Sequence, residues 1–208
     1  MSELLTDMSC SEFTDAVAAK TSVPGGGAVA AYAGAMGAAL CSMVGEFTTG
    51  KKRYAEYEED VQRMLGEAEE VRRRLVELVD EDAKAFEPLS RAYGIPKDDP
   101  NRAEVVEAAT KDACAAPMEM MRQCAKAIEL LEEMEQKGSR MLLSDVGCGA
   151  AMAGAALESA SMNVFVNTRS LKDREFADAL DAEADELLET YVPRARDISD
   201  RVSEALRD

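Results

Sequence analysis

A chain of 208 residues carrying 41 acidic and 24 basic side chains, a formal charge of −17 and no histidine excludes several classes of function at once. Its basic residues mostly alternate with acids, so no clustered positive surface is available to wrap a nucleic-acid backbone. Without histidine, proton transfer falls to Asp, Glu, Lys, Tyr or Cys, and neither a structural zinc site nor metal-assisted hydrolysis is expected.

The length suits one domain spanning residues 1–208. Abundant Ala, Leu, Glu, Met and Arg with only 6 prolines indicate an all-α, single-domain bundle, of about six to eight helices. Five cysteines, at positions 10, 41, 114, 124 and 148, form no Cys-x-x-Cys pair and read as reduced, packed thiols. The opening Met1-Ser2-Glu3-Leu4-Leu5 has neither a basic nor an apolar leader region, so the expected location is the cytoplasm. Between Lys20 and Glu46 no residue is charged, but alanine and glycine dominate, and a buried central helix is expected rather than a membrane span.

In chain order, Ser9 or Ser11 can cap a short helix through Phe13 and Val17, which Pro24 and the Gly25-Gly26-Gly27 run separate from the next. That next helix, from about Gly27 to Phe47, has small residues on several sides and should form the hub of the core. From near Tyr54, Val61, Leu65, Ala68, Val71, Leu75, Leu78, Val79, Ala83 and Phe86 trace an apolar stripe along a long helix that Pro88 kinks and the Gly94–Pro100 turn ends. Arg72-Arg73-Arg74 within it should pair with neighbouring glutamates. A fourth helix, about Asn101 to Lys137, tolerates Pro117 only as a kink or break. Ser144 or Asp145 is placed to cap a second small-residue helix, Gly147 to about Asn163, and two such thin helices invite mutual packing. A cap near Ser170 to Asp173 starts a last amphipathic helix through Leu206, bent at Pro193.

The Pro24-Gly25-Gly26-Gly27 run at a helix start is the sharpest chemical feature, because glycines admit a ligand to the backbone and a helix N-terminus offers free N–H donors. The bland alternative is a tight turn that needs φ > 0. Gly45 to Lys52 nearly spells a phosphate-binding loop, but Lys52 replaces the hydroxyl residue and no strand precedes it. Lys51, at the mouth of the same helix hairpin, either meets a substrate carboxylate or caps helix carbonyls. In Asp80-Glu81-Asp82, Asp82 adjoins the apolar positions Val79 and Phe86, where burial would raise its pKa, while Glu81 reads as solvated. Asp145 and Asn163, at opposite ends of the second thin helix, border apolar runs and serve either a site or helix bridging.

Phe13-x-x-x-Val17-Ala-Ala-Lys20-x-x-x-Pro24-Gly-Gly-Gly27, Gly34-x-x-Gly37, Thr49-Gly50-Lys51-Lys52-x-Tyr54, Asp80-Glu-Asp82-Ala-x-Ala-Phe86, Ile95-Pro-Lys97, Ser144-Asp-Val-Gly147 and Asn163-x-x-x-Asn167 together resemble the cyclodeaminase/cyclohydrolase family. The resemblance covers nearly the whole chain. It implies a helical homodimer without a redox cofactor, acting on tetrahydrofolate derivatives: either 5-formiminotetrahydrofolate is cyclised to the 5,10-methenyl compound with loss of ammonia, or that compound is hydrolysed to 10-formyltetrahydrofolate. On that resemblance Asp82, Lys51 and Asp145 are expected to be catalytic or positioning residues, and Pro24, Gly25, Gly26, Gly27, Tyr54 and Asn163 to line the substrate site, with neither nucleic acid nor membrane as partner. A helical dimer that binds folate or a small anion without turnover is the alternative, and a bundle whose glycines serve only packing is a third.

Overall fold

A computed structural model describes residues 4–207; Met1–Glu3, read above for a leader, lie outside the described residues. Seven α-helices follow one another: α1 (Cys10–Ala18), α2 (Gly26–Glu46), α3 (Glu58–Tyr93), α4 (Arg102–Ala113), α5 (Ala115–Lys137), α6 (Leu143–Thr168) and α7 (Arg174–Ala205), with short 3-10 turns at Leu5–Asp7, Lys52–Tyr57 and Arg140–Leu142. No strand occurs among the described residues.

The two thin helices, α2 and α6, pack antiparallel at the centre. A Cβ added to Gly37 would stand 2.9 Å from the Gly149 carbonyl and 3.3 Å from the Ala153 amide, so the helices meet backbone to backbone and only glycine fits there. Beneath them α5 contributes Met118, Met120, Met121, Ile128, Leu131 and Met134, all essentially inaccessible, and α3 contributes Met64, Leu75 and Leu78. These long side chains fill the space that alanines on α2 and α6 leave, each worth about 2–5 kcal/mol if cut to alanine. On the other side α7 docks along α6, where Gly154 accommodates Ala195 and Gly147 accommodates Val202. Across the rim of α5 and α7, Arg122 meets Glu183 at 2.6 Å, Arg194 meets Glu132 at 2.5 Å and Arg201 meets Glu135 at 2.6 Å. Such exposed pairs fix orientation more than they add stability.

Local chemistry explains the element ends. Ser9 closes a capping box with Glu12 at the head of α1. Glu58, Glu59 and Asp60 begin α3, where their charge favours the helix N-terminus, and α3 continues past Pro88 to Tyr93. The expected single helix from Asn101 is two: the chain breaks at Cys114, and Pro117 falls in the first turn of α5, where its missing N–H costs nothing. The second thin helix starts earlier and runs further than expected, from Leu143 to Thr168; Asp145 lies inside its first turn and neither it nor Ser144 caps it. Asp173 caps α7 by accepting the Phe176 N–H at 3.1 Å. As expected, Arg72 pairs with Glu69, Arg73 with Glu77 at 2.5 Å and Arg74 with Glu81 at 2.7 Å. The cysteines divide: Cys41, Cys114 and Cys124 are buried, whereas Cys10 and Cys148 are exposed rather than packed.

Candidate active site

The three acids in the middle of α3 radiate to three destinations because successive helical residues turn by about 100°. Asp80 is buried and holds the N-terminal segment, accepting the Leu5 N–H and the Thr6 hydroxyl at 2.7 Å each. Glu81 goes to Arg74 at the surface. Asp82 alone turns into a cavity of about 220 Å³ at the head of α2, bounded by Ser22, Gly25, Gly26, Phe86, Pro117 and the α6 residues Asn163 and Asn167.

The glycine run makes room for that carboxylate. None of Gly25, Gly26 and Gly27 has a positive φ, so left-handed turn geometry is not what they supply. Instead, a Cβ on Gly27 would fall 2.4 Å from Asp82 Oδ1 and 2.5 Å from Oδ2, a distance no side chain tolerates. Glycine at position 27 lets an acid from α3 sit against the first turn of α2. There the Ala28 amide is near enough to favour its charge, while Gly25, the N-cap, offers no side chain of its own. Two influences oppose each other: burial penalises the charged carboxylate, and the Ala28 amide favours it. Burial wins, and the Asp82 pKa is raised from 3.8 to about 6. A helix-capping aspartate would ordinarily be stabilised as the anion; this one is poised to exchange a proton near neutrality. A roomier groove of about 410 Å³ between α3 and α5 is lined largely by charged groups such as Arg63 and Glu133, which already pair with each other.

The remaining expected site residues divide by position. Gly25, Gly26, Gly27 and Asn163 meet Asp82, and Pro24 is buried in the loop behind them. Lys51, Tyr54 and Asp145 do not join them within one protomer: they lie at the far end of the α2–α6 pair, and α2 alone spans 21 residues, about 30 Å. Lys51 is exposed with its ammonium 5.9 Å from the Phe47 ring. Tyr54 is buried, and its hydroxyl accepts the Arg140 N–H at 3.0 Å, tying the turn before α3 to the turn before α6. Sequence reasoning placed both ends at one mouth because it followed the hairpin's connectivity and not the length of its arms. Phe86, read as part of the apolar stripe, and Asn167, quoted only within a motif, were not singled out as site residues, although each stands one helical turn from one that was, Asp82 and Asn163.

With this geometry in view, the family model described as formiminotransferase-cyclodeaminase matches residues 9–186. The chain belongs to that family. It is 38% identical over 199 residues to a methenyltetrahydrofolate cyclohydrolase of Methylorubrum extorquens, covering 94% of both chains. It is 31% identical over 176 residues to the formimidoyltransferase-cyclodeaminase of Rattus norvegicus, where the match takes in 83% of this chain but 32% of the relative. The crystal structure of a formiminotetrahydrofolate cyclodeaminase from Thermotoga maritima superposes with a TM-score of 0.83 at 30% identity, covering 95% of this chain and 98% of that one. The fold expected from the family resemblance is therefore the fold observed.

Proposed function

We propose that this family member is a tetrahydrofolate one-carbon enzyme that hydrolyses 5,10-methenyltetrahydrofolate to 10-formyltetrahydrofolate with Asp82 as the proton-transfer group. The observation that carries the reading is a carboxyl of pKa about 6 in a ring-sized cavity at the N-terminus of α2. The full-length similarity to a cyclohydrolase favours hydrolysis. Ionised Asp82 takes a proton from water as the oxygen adds to the bridging carbon, neutralising the methenyl cation and giving a tetrahedral adduct. The bond from that carbon to N5 then breaks with its electrons going to nitrogen, which takes the proton from Asp82, while the adduct hydroxyl loses its proton to solvent as the formyl carbonyl forms. Water is consumed and one proton is released.

The cyclodeaminase structure of T. maritima supports a second reading on the same site. There N10 attacks the carbon of the protonated formimino group (–CH=NH2⁺), the N10 proton passes through Asp82 to the departing nitrogen, and ammonia leaves as the methenyl cation forms. Two assays separate the reactions: protein-dependent loss of the methenyl absorbance, and ammonia release with gain of that absorbance from 5-formiminotetrahydrofolate. Absence of both rejects catalysis and leaves folate binding without turnover.

The chain also has a face suited to a second copy of itself. Met36 on α2, Phe47 just past its end, Met141 in the turn before α6, and Met162 and Val166 on α6 are exposed, with Met162 68% accessible, in a protein whose other helices are densely charged. An antiparallel two-fold arrangement across this face sets the Lys51 end of each protomer over its partner's glycine loop and avoids opposing the Lys51-Lys52-Arg53 clusters. The homodimer then reunites Lys51 with Asp82 in trans. Mixing Lys51→Ala and Asp82→Asn subunits restores roughly a quarter of wild-type activity by random pairing if the site is shared, and none if each protomer works alone.

A further inference from the structure

Asn163 and Asn167 stand one turn apart on α6, about 6 Å along the helix, and both line the Asp82 cavity. Each has committed one N–H of its amide nitrogen to a backbone carbonyl. Asn163 Nδ2 donates to Ser159 O at 2.9 Å, and Asn167 Nδ2 donates to Ala113 O at 3.1 Å, across the junction of α4 and α5. Carbonyl oxygens only accept, so these partners fix the amide orientation: the reverse would set oxygen against oxygen. What remains on each side chain is Oδ1, an acceptor, together with the second N–H of the amide. Among the described residues neither oxygen receives a hydrogen bond from the protein, and no fully buried side-chain nitrogen or oxygen lacks a partner. Both oxygens are therefore accessible, on side chains that line the cavity.

We infer that Asn163 and Asn167 read the N–H edge of the reduced pterin ring, with the 2-amino group as the donor that selects the substrate. The inference rests on the folate reading above and assigns the two residues a task within it. With Asp82 ionised, its carboxylate and the two Oδ1 atoms make acceptors the predominant groups on this side of the cavity. Across from them is the first turn of α2, whose amides lack partners within the helix; a Cβ built on Gly26 there would stand 3.7 Å from both Nδ2 and Oδ1 of Asn163. A ligand that turns N–H groups toward α6 and acceptors toward α2 satisfies both walls. A 2-amino-4-oxo pyrimidine ring fused to a reduced pyrazine offers that pattern along adjacent edges. Asn167 does more than bind: its bond to Ala113 O holds the wall formed by Ala113 and Pro117 in place.

The test compares 5-formyltetrahydrofolate, a stable reduced folate, with its 2-desamino-2-methyl counterpart by titration calorimetry. Wild-type protein should bind the desamino ligand about 10- to 100-fold more weakly, since an acceptor is left unpaired. Asn163→Leu and Asn167→Leu should bind the parent ligand more weakly by a similar factor and largely lose the discrimination. The mutants' KM should rise with kcat within about threefold and the acid limb near pH 6 unmoved, a split that a merely structural role would not give. Circular dichroism checks folding, and Asn163→Ala, which introduces no bulk, replaces any variant that fails it. Equal binding of the two ligands by wild-type protein that turns folate over overturns the assignment and leaves the function standing; so does undiminished discrimination in folded variants. Wild-type protein that neither binds 5-formyltetrahydrofolate nor turns over either substrate overturns both.

Discussion

Replacing Asp82 with asparagine should make the protein more stable and nearly inactive. Holding the carboxyl at about 6 instead of 3.8 costs the folded, ionised protein about 3 kcal/mol, and because the cavity opens to solvent about 2 kcal/mol is the working figure. Asparagine removes the buried charge and keeps an oxygen that can face the Ala28 amide. The sign follows from linkage: for an acid whose folded pKa is raised, the cost is fully present above the folded value, shrinks as pH falls from 6 toward 3.8, and vanishes below the unfolded value. Asp82→Asn should therefore melt about 4–8 °C higher than wild type at pH 8, with roughly half that advantage at pH 5. Turnover, followed by methenyl absorbance, should fall by about 10²–10⁴-fold as proton transfer is lost. Wild-type turnover itself should decline below pH 6, where Asp82 becomes protonated. A pH-independent stability change, or retained turnover with a normal folate affinity, would refute the reasoning.

Gly27→Ala places a methyl where the Asp82 carboxylate sits; that carboxylate can rotate away, so thermal denaturation should show a folded protein while turnover falls by at least about 10²-fold. At Gly37 the obstacle is the backbone of α6, which cannot move aside, and Gly37→Ala should cost about 1–3 kcal/mol in urea denaturation. Burial pushes the thiols of Cys41 and Cys124 up to about 12 and that of Cys114 to about 11, so a disulfide reagent at pH 8 should spare all three until the protein unfolds, while Cys10 reacts in the native state. Cys148, on the outer side of α6, should react slowly in wild type and quickly in Met36→Glu, which size-exclusion chromatography should show as a monomer; fast reaction in both would place no partner on that face.

Much of the fold was legible because its signals are local. The apolar stripe of α3, the thinness of α2 and α6 and the acidic cap of α7 each follow from residues near one another in sequence. Boundaries were harder: Pro117 reads as a break wherever it occurs, and only the structure shows that the break lies three residues earlier, leaving the proline in a harmless first turn. Asp82 could be found because Val79 and Phe86 flank it, although its neighbour across space, Gly27, is 55 positions away and gives no periodic signal. Of the two readings of the glycine run, the tight turn that needs φ > 0 is not what the structure shows; at Gly27 the missing methyl makes room for the Asp82 carboxylate. Lys51 and Asp145 were grouped with the glycine loop because sequence supplies no ruler for the distance between the two ends of a helix pair.

The adjacent acids of α3 have a consequence for how this chain can vary. Asp80 anchors the start of the polypeptide, Glu81 meets a surface arginine and Asp82 faces the cavity, all from consecutive positions on one continuous helix. Adding or deleting a single residue upstream in α3 would rotate the set by about 100° and send every acid to its neighbour's destination. Length changes in descendants of this chain are thus confined to places where phase carries no information, such as the Gly94–Pro100 turn beyond the helix. The reading frame of a gene is usually a matter for translation; along α3 the protein keeps a second frame, counted in helical turns.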